Sequence, residues 1–212
     1  MAVPTKLFII LIMALQVPNE HMTMPVIKPI GLGDGQFSFA VYIANQPNLP
    51  EYQSLSRLTA LTKGEIADIG QACGNGWRKV FNVYAKLLYA LDKKYFSFSE
   101  QASTWQEYRD LYLLQQGSGT ALIFNPPNVT LFSNNLDIRT LHIICGRTYA
   151  KQLISDGLDV QLIWLDDEFA VDAAHNVVVC PYFDYRQLSN HKIQRLSVML
   201  SALLLGEIVD LN

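Results

Sequence analysis

Between Thr140 and Leu205 the chain contains two strand-loop-helix units in direct succession, and the strands that head them are apolar throughout. The first unit is LHIICGRTYAKQL (141–153); the second is NVVVCPYFDYRQLSN (176–190) running into HKIQRLSVMLSALL (191–204). A strand with one wet face alternates apolar and polar residues, whereas HIIC and VVVC do not, so both of their faces must be covered. That requirement selects a parallel sheet with helices on both sides, because parallel strands need crossover connections that lay helices on the faces. In open α/β sheets ligands bind at the carboxyl ends of the strands, so the loops after these two strands are expected to wall any site.

The preceding chain fits the same plan. FSFAVYIA (37–44) is β-branched and aromatic and ends at Asn45, Gln46, Pro47 and Asn48, which predicts a strand delivering a third loop. LPEYQSLSRLTALTKGEIADIGQAC (49–73) reads as two short helices separated near Gly64, and GNG (74–76) interrupts the chain before WRKVFNVYAKLLYALD (77–92). There Val80, Val83, Tyr84, Leu87, Leu88 and Leu91 recur at helical spacing. A further helix is predicted over 97–117, with Ser103 or Thr104 as its cap and Gly117 as its stop. TALIFN (120–125) is a strand ending in Pro126, Pro127 and Asn128, and DVQLIWLDD (159–167) is expected to add a short one, with His175 and Asn176 turning the chain back. The expected fold is a three-layer α/β/α sandwich around a central, mostly parallel sheet of about four strands.

Composition bounds the function. With 50% apolar and 17% charged residues, the 212-residue chain can bury one core, which predicts a single domain over 25–212. A net charge of −3 supplies no global basic field, so DNA or a nucleotide would have to be held through a local basic patch, and a protein partner is the other expectation. Cys73, Cys145 and Cys180 cannot all pair and match no zinc spacing, which points to reduced thiols and a cytoplasmic location. Residues 1–24 form an apolar extension whose run LFIILIMALQV (7–17) is too short to span a bilayer, so no stable membrane insertion is expected. The run has the length of a secretory h-region, but Pro18, Asn19 and Glu20 stand where a cleavage site needs small residues. An extra packed segment, or a start at Met22 or Met24, is the stronger reading.

Familiar cofactor motifs fail on geometry. GLGDG (31–35) precedes a strand instead of joining strand to helix, and GQACGNG (70–76) lacks the Lys and Ser of a triphosphate loop. Asp166, Asp167 and Glu168 have no matching ligand spacing and read as a solvated turn. His142, inside an apolar strand, reads as a buried neutral imidazole. Neither a metal nor a cofactor is expected.

One family shares this arrangement. The helix VFNVYAKLLYALD (80–92), the pattern LxxQGxGxALIFN (113–125), IICGRTYAKQL (143–153), and a strand running into a Pro loop that ends in Leu188 and Ser189 together resemble the uracil-DNA glycosylase superfamily. The resemblance covers Phe37 to Leu205 and is strongest over 113–190. It rests on the order and spacing of elements. It implies a pocket formed by the loops after residues 44, 125, 145 and 180, in which a flipped base is read by an amide, stacked on an aromatic ring, and cleaved by positioned water.

Carried over residue by residue, the resemblance makes Asn125 the base-reading amide, since one carboxamide supplies donor and acceptor; Asn125 can equally tether the Pro126-Pro127 turn. Asn45 or Asn48 would position water in place of the family's usual carboxylate, but an amide cannot act as a general base near neutral pH. Tyr52 could wall the pocket or pack beneath the loop. Where the family offers a His-Pro-Ser-Pro type loop, this chain has Cys180, Pro181, Tyr182, Phe183 and Asp184, so the electrophilic imidazole is missing. Cys180 itself reads as a small core residue. Tyr182 and Phe183 can stack on a base or, equally well, cover the sheet end, and Arg186, Ser189, Asn190 and Lys192 are candidates for phosphate contact at the start of the last helix, against the slightly favoured reading of a solvated helix start. With acid and imidazole both missing, the expectation is a protein that binds a nucleobase, nucleotide, nucleic acid or protein partner without excising bases. The alternative is a divergent DNA glycosylase that hydrolyses the N-glycosidic bond of a damaged or mismatched base. An unrelated nucleotide- or sugar-handling enzyme is a third, weaker reading.

Overall fold

The burial of both sheet faces is resolved strand by strand. The structure, a computed structural model, describes residues 28–129 and 140–206. One sheet contains β1 (Gly31–Gly33), β2 (Phe39–Tyr42), β3 (Leu58–Thr59), β4 (Thr120–Ile123), β5 (Leu141–Cys145), β6 (Ile163–Trp164), β7 (Ala170–Asp172) and β8 (Val177–Cys180). Their spatial order is β3-β1-β4-β2-β5-β8-β7-β6. Among the described residues the helices are α1 (Pro50–Gln53), α2 (Glu65–Ala72), α3 (Asn75–Ala90), α4 (Trp105–Leu111), α5 (Arg147–Ser155) and α6 (Asn190–Leu205).

Along each central strand the side chains alternate between two cores. Phe39, Val41, Ile43, Leu122, Ile143, Val178 and Cys180 pack on one face with Val80, Tyr84 and Leu87 of α3 and Leu196 of α6. Ala40, Tyr42, Ile123, Ile144, Val177 and Val179 pack on the other with Ala150 and Leu153 of α5. Tyr84 ties α3 to the sheet: its buried hydroxyl donates to the Ala121 carbonyl at 3.0 Å, with the Phe39 carbonyl at 3.3 Å.

The expectation of a mostly parallel sheet of about four strands is corrected: the sheet is mixed and eight-stranded. β4, β2, β5 and β8 run parallel to their neighbours in that order, while β1 is antiparallel to β4, and β7 is antiparallel to both β8 and β6. The added strands are short: β3 and β6 form the two edges, with β1 and β7 just inside them, and β6 falls within 159–167, where a short strand is expected. β1 is the GLG stretch, and its glycines are there for contact: a Cβ on Gly31 would sit 2.1 Å from the Leu122 oxygen, and one on Gly33 would sit 2.3 Å from the Thr120 oxygen. Asp34 then accepts from the Gln36 amide at 3.1 Å and the Gly119 amide at 3.0 Å, closing the turn into β2.

Two helical readings also change. The segment 49–73 holds β3 between α1 and α2, not two helices alone. The helix expected to stop at Gly117 ends at Leu111, and Leu114 takes a positive φ of 59°. Its start is as read: Thr104 accepts from the Glu107 amide at 3.1 Å while Glu107 accepts from the Ser103 amide at 2.8 Å. The run 7–17 lies outside the described residues, among which no helix is long and apolar enough to cross a membrane.

The connections create an asymmetry. Between β2 and β4 the chain crosses the face carrying α2, α3 and α4, whereas between β5 and β8 it crosses the opposite face through α5. Because β2 and β5 are neighbours, the loops after them diverge to opposite faces and open a crevice at the carboxyl edge of the sheet.

His142 lies on the α5 face, where its Nδ1 meets the Tyr42 hydroxyl at 2.9 Å. Burial, aided by the nearby His175, lowers its pKa from 6.5 to about 4, so the folded chain keeps the imidazole neutral. The unfolded chain takes up a proton below about pH 6.5, while the fold does not until about pH 4, so stability must fall as pH drops through this window. Urea unfolding should show a loss of about 1 kcal/mol between about pH 7.5 and about pH 5.5, and a His142→Gln variant should lack most of that dependence. An unchanged slope in the variant would assign the effect to other groups.

Candidate functional site

At the carboxyl edge of the central strands lies an open cleft of about 510 Å³. Three of the predicted loops contribute to it: Ala44 and Asn45 after β2, Cys145 through Tyr149 after β5, and Pro181, Tyr182 and Gln187 after β8. Asp167 and Glu168 complete the rim. They belong to the turn between β6 and β7, which the antiparallel pairing of β7 with β8 brings to the same edge. Gly146 makes the sharp exit from β5 with φ 103°, so α5 begins at once and presents Arg147, Thr148, Tyr149 and Gln152 to the cleft.

The walls are aromatic and amide. Tyr182 is half-buried and lines the cleft with Asn45, so the loops after β2 and β8 both contribute to it. Burial raises the phenols of Tyr149, to about 12, and of Tyr182, with a lesser contribution from Cys145 in each case. Both therefore stay protonated donors. Cys145 lies beside Cys180 in the paired strands, and burial pushes its thiol up, so the sulfur is a poor nucleophile.

The acidic turn is not simply solvated. Asp167 accepts from Arg147 at 2.6 Å, Glu168 from Lys192 at 2.6 Å, and Asp166 from Arg195. Burial works to raise the Asp166 pKa, but the hydrogen bonds from Arg195 and from the Glu168 and Phe169 amides outweigh it and hold the carboxyl below its ordinary value. Arg147 also lies over Trp164, at 4.9 Å from the ring centre. This turn staples the first turns of α5 and α6 together and neutralises the cations it touches.

The other sequence-predicted residues separate. Asn48 is exposed and does not line the cleft. Tyr52 packs on the core beneath its loop and donates to Glu65 at 3.3 Å; burial and then Glu65 raise its phenol to about 12. Phe183 is fully buried, edge-on to Tyr84 at 5.7 Å, so of its two readings the stacking one is corrected and the covering one holds: it is core. Arg186, Ser189 and Asn190 are exposed at the head of α6 and do not line the cleft, and Lys192 is engaged by Glu168. Asn125 does not line it either. Its Oδ1 accepts from the Ile30 amide at 2.7 Å and its Nδ2 donates to the Lys28 carbonyl at 3.2 Å, which is the tether role, directed at the strand entering β1.

Residues missed by sequence reasoning are Tyr149, Gln152 and Gln187. Tyr149 and Gln152 stand three apart in the opening turns of α5, where the strand-end rule could have found them. The loop that carries Tyr182 and Gln187 is tied to α3 by Asp184, which accepts from Lys79 at 2.8 Å. Lys79 and the Arg186 amide hold that carboxyl below its ordinary value. Among the described residues no group of three or more side chains could hold a metal ion, and none of the described histidines lines the cleft.

Residues 30–201 match the model of a family of unknown function, DUF6942. The chain belongs to that family. No curated protein and no solved structure matches it. The DUF6942 match spans every strand and every cleft residue named above, so strands and cleft loops alike fall within the shared region.

If Asn125 is a tether, Asn125→Ala should destabilise the fold by about 1–3 kcal/mol through two lost backbone hydrogen bonds. Ligand affinity at the cleft should be unchanged in the fraction that remains folded. Urea unfolding and ligand titration of the same variant check this; intact stability with lost binding would return Asn125 to the site.

Proposed function

We propose that this chain is a binding protein for a small, planar, uncharged ligand, a nucleobase or nucleoside, and that it does not excise bases. The observation that carries the reading is the cleft at the β2/β5 divergence, walled by Tyr149 and Tyr182 with the amides of Asn45, Gln152 and Gln187 around them. Aromatic walls offer stacking, and carboxamides supply the paired donor and acceptor that a base edge requires. The resemblance to the uracil-DNA glycosylase superfamily supports the same ligand class.

Two features favour binding over cleavage. Asp167 and Glu168 are the carboxylates on the rim, and each is paired to a cation, which suits them poorly to draw a proton from water. Arg147 and Lys192 are neutralised by the same pairs, so the rim offers a backbone phosphate little net charge, and a base or nucleoside fits better than DNA. Asn45 on the cleft wall is the one observation that favours the second reading, a divergent DNA glycosylase in which this amide positions the attacking water.

Titration of the full chain with free bases and nucleosides, followed by NMR, should reveal binding that Tyr182→Ala weakens by about tenfold through lost stacking. Oligonucleotides carrying uracil, hypoxanthine or mismatched thymine should release no free base. Release that Asn45→Ala abolishes would establish the glycosylase reading. Failure of every base and nucleoside to bind would overturn the nucleobase assignment.

A further inference from the structure

A second cleft, of about 290 Å³, lies between α2, α3 and α4, apart from the carboxyl edge of the sheet. Its apolar lining comes from Ile66 and Phe81, both buried, and it is open beside Gly70, which lets α2 approach α3 at Arg78: a Cβ on Gly70 would already touch the Arg78 Cβ at 3.5 Å. Arg78, Phe81 and Asn82 stand at i, i+3 and i+4 on α3, so one face of that helix contributes a guanidinium, a ring and an amide.

The polar groups are unevenly satisfied. Arg109 is locked: Nε and Nη2 donate to the two oxygens of Asp110 at 2.7 and 2.9 Å, Nη1 donates to Asn82 Oδ1 at 2.5 Å, and the guanidinium lies 5.7 Å from the centre of the Trp105 ring. A guanidinium can only donate, so Asn82 must turn its oxygen toward Arg109 and its Nδ2 protons away from it. Those protons meet no acceptor among the described residues. Nor does the exposed Arg78 guanidinium. Two guanidinium groups and one carboxylate line the cleft, leaving one net positive charge in a chain whose net charge is −3.

We propose that this cleft binds a monocarboxylate carried on a compact apolar body, with the carboxylate between Arg78 and Asn82 Nδ2 and the body against Ile66 and Phe81. Planar carboxylate oxygens match the fork of a guanidinium and the single amide donor. Phosphate fits less well, because Asp110 beside Arg109 leaves too little positive charge for a dianion. The proposal is independent of the ligand at the sheet edge.

Benzoate is the probe, and benzyl alcohol, with the same ring and no charge, is its control. Titration calorimetry of the full chain at low salt should detect benzoate and not benzyl alcohol. Arg78→Gln should weaken benzoate by about tenfold, the effect of one charge-assisted contact, while Lys93→Gln, the same charge change at an exposed site outside the cleft, should leave it unaltered. Asn82→Asp keeps the acceptor for Arg109 and replaces the free donor with a negative charge, so it should abolish binding with the fold intact by circular dichroism. No benzoate binding, equal binding of benzyl alcohol, or equal weakening by Arg78→Gln and Lys93→Gln would each overturn the assignment.

Discussion

Everything in this structure follows from having four central strands that must be dry on both faces. Val41, Ile143 and Val178 point into one core and Tyr42, Ile144 and Val179 into the other, all essentially inaccessible to solvent. No single helical layer can cover both. The chain therefore has to deliver α3 and α6 to one face and α5 to the other, and it does so by sending successive connections in opposite directions from the adjacent strands β2 and β5. The cleft is the geometric residue of that divergence, since two loops leaving neighbouring strands for opposite faces cannot fill the space between them.

The ties across the cleft's rim have a separate origin, in charge. Asp166, Asp167 and Glu168 reach Arg195, Arg147 and Lys192, so one turn holds the first turns of two helices. Pairs as exposed as these contribute little stability individually. Their larger consequence is electrostatic: cations that would otherwise give the cleft a phosphate-binding rim are already compensated. Lys79 and Asp184 act likewise on the loop after β8, fixing Tyr182 by anchoring its neighbour to α3. Preorganised walls with little net charge favour shape and hydrogen-bond recognition over ionic attraction.

Legibility in the sequence tracked burial and distance. β2, β4, β5 and β8, with α3, α5 and α6, were readable because each carries an uninterrupted apolar run or a strong helical period. β1 was not, because Gly-Leu-Gly has no strand propensity and is a strand through its pairing with β4, which approaches too closely for a Cβ at Gly31 or Gly33. β3, at two residues, is defined by its neighbours and not by its own composition, whereas β6, equally short, falls within the 159–167 stretch that reads as a strand. The loops of the site were legible from the strand-end rule, yet the roles within them were not. Asn125 finds its partners 95 and 97 residues away, and the acidic turn finds its cations 20 to 29 residues away, separations at which local pattern carries no information.

Asn125 shows how the role of an amide depends on the strand packed beside it. An amide at the end of a parallel strand can face forward, toward a ligand, or sideways, toward an added edge strand. In this chain β1 pairs antiparallel to β4, and its approach brings the Lys28 carbonyl and the Ile30 amide to where one donor and one acceptor are wanted. A carboxamide answers both at once. The same side chain that would read a base in an open site is thus consumed by the extra strand inserted between β4 and the edge strand β3. Ligand recognition on the proposed reading then moves to Asn45 and Gln187 on the loops after β2 and β8 and to Gln152 in the helix after β5. The chemistry of the cleft is set by which strands were added at the edges as much as by which loops were kept at the centre.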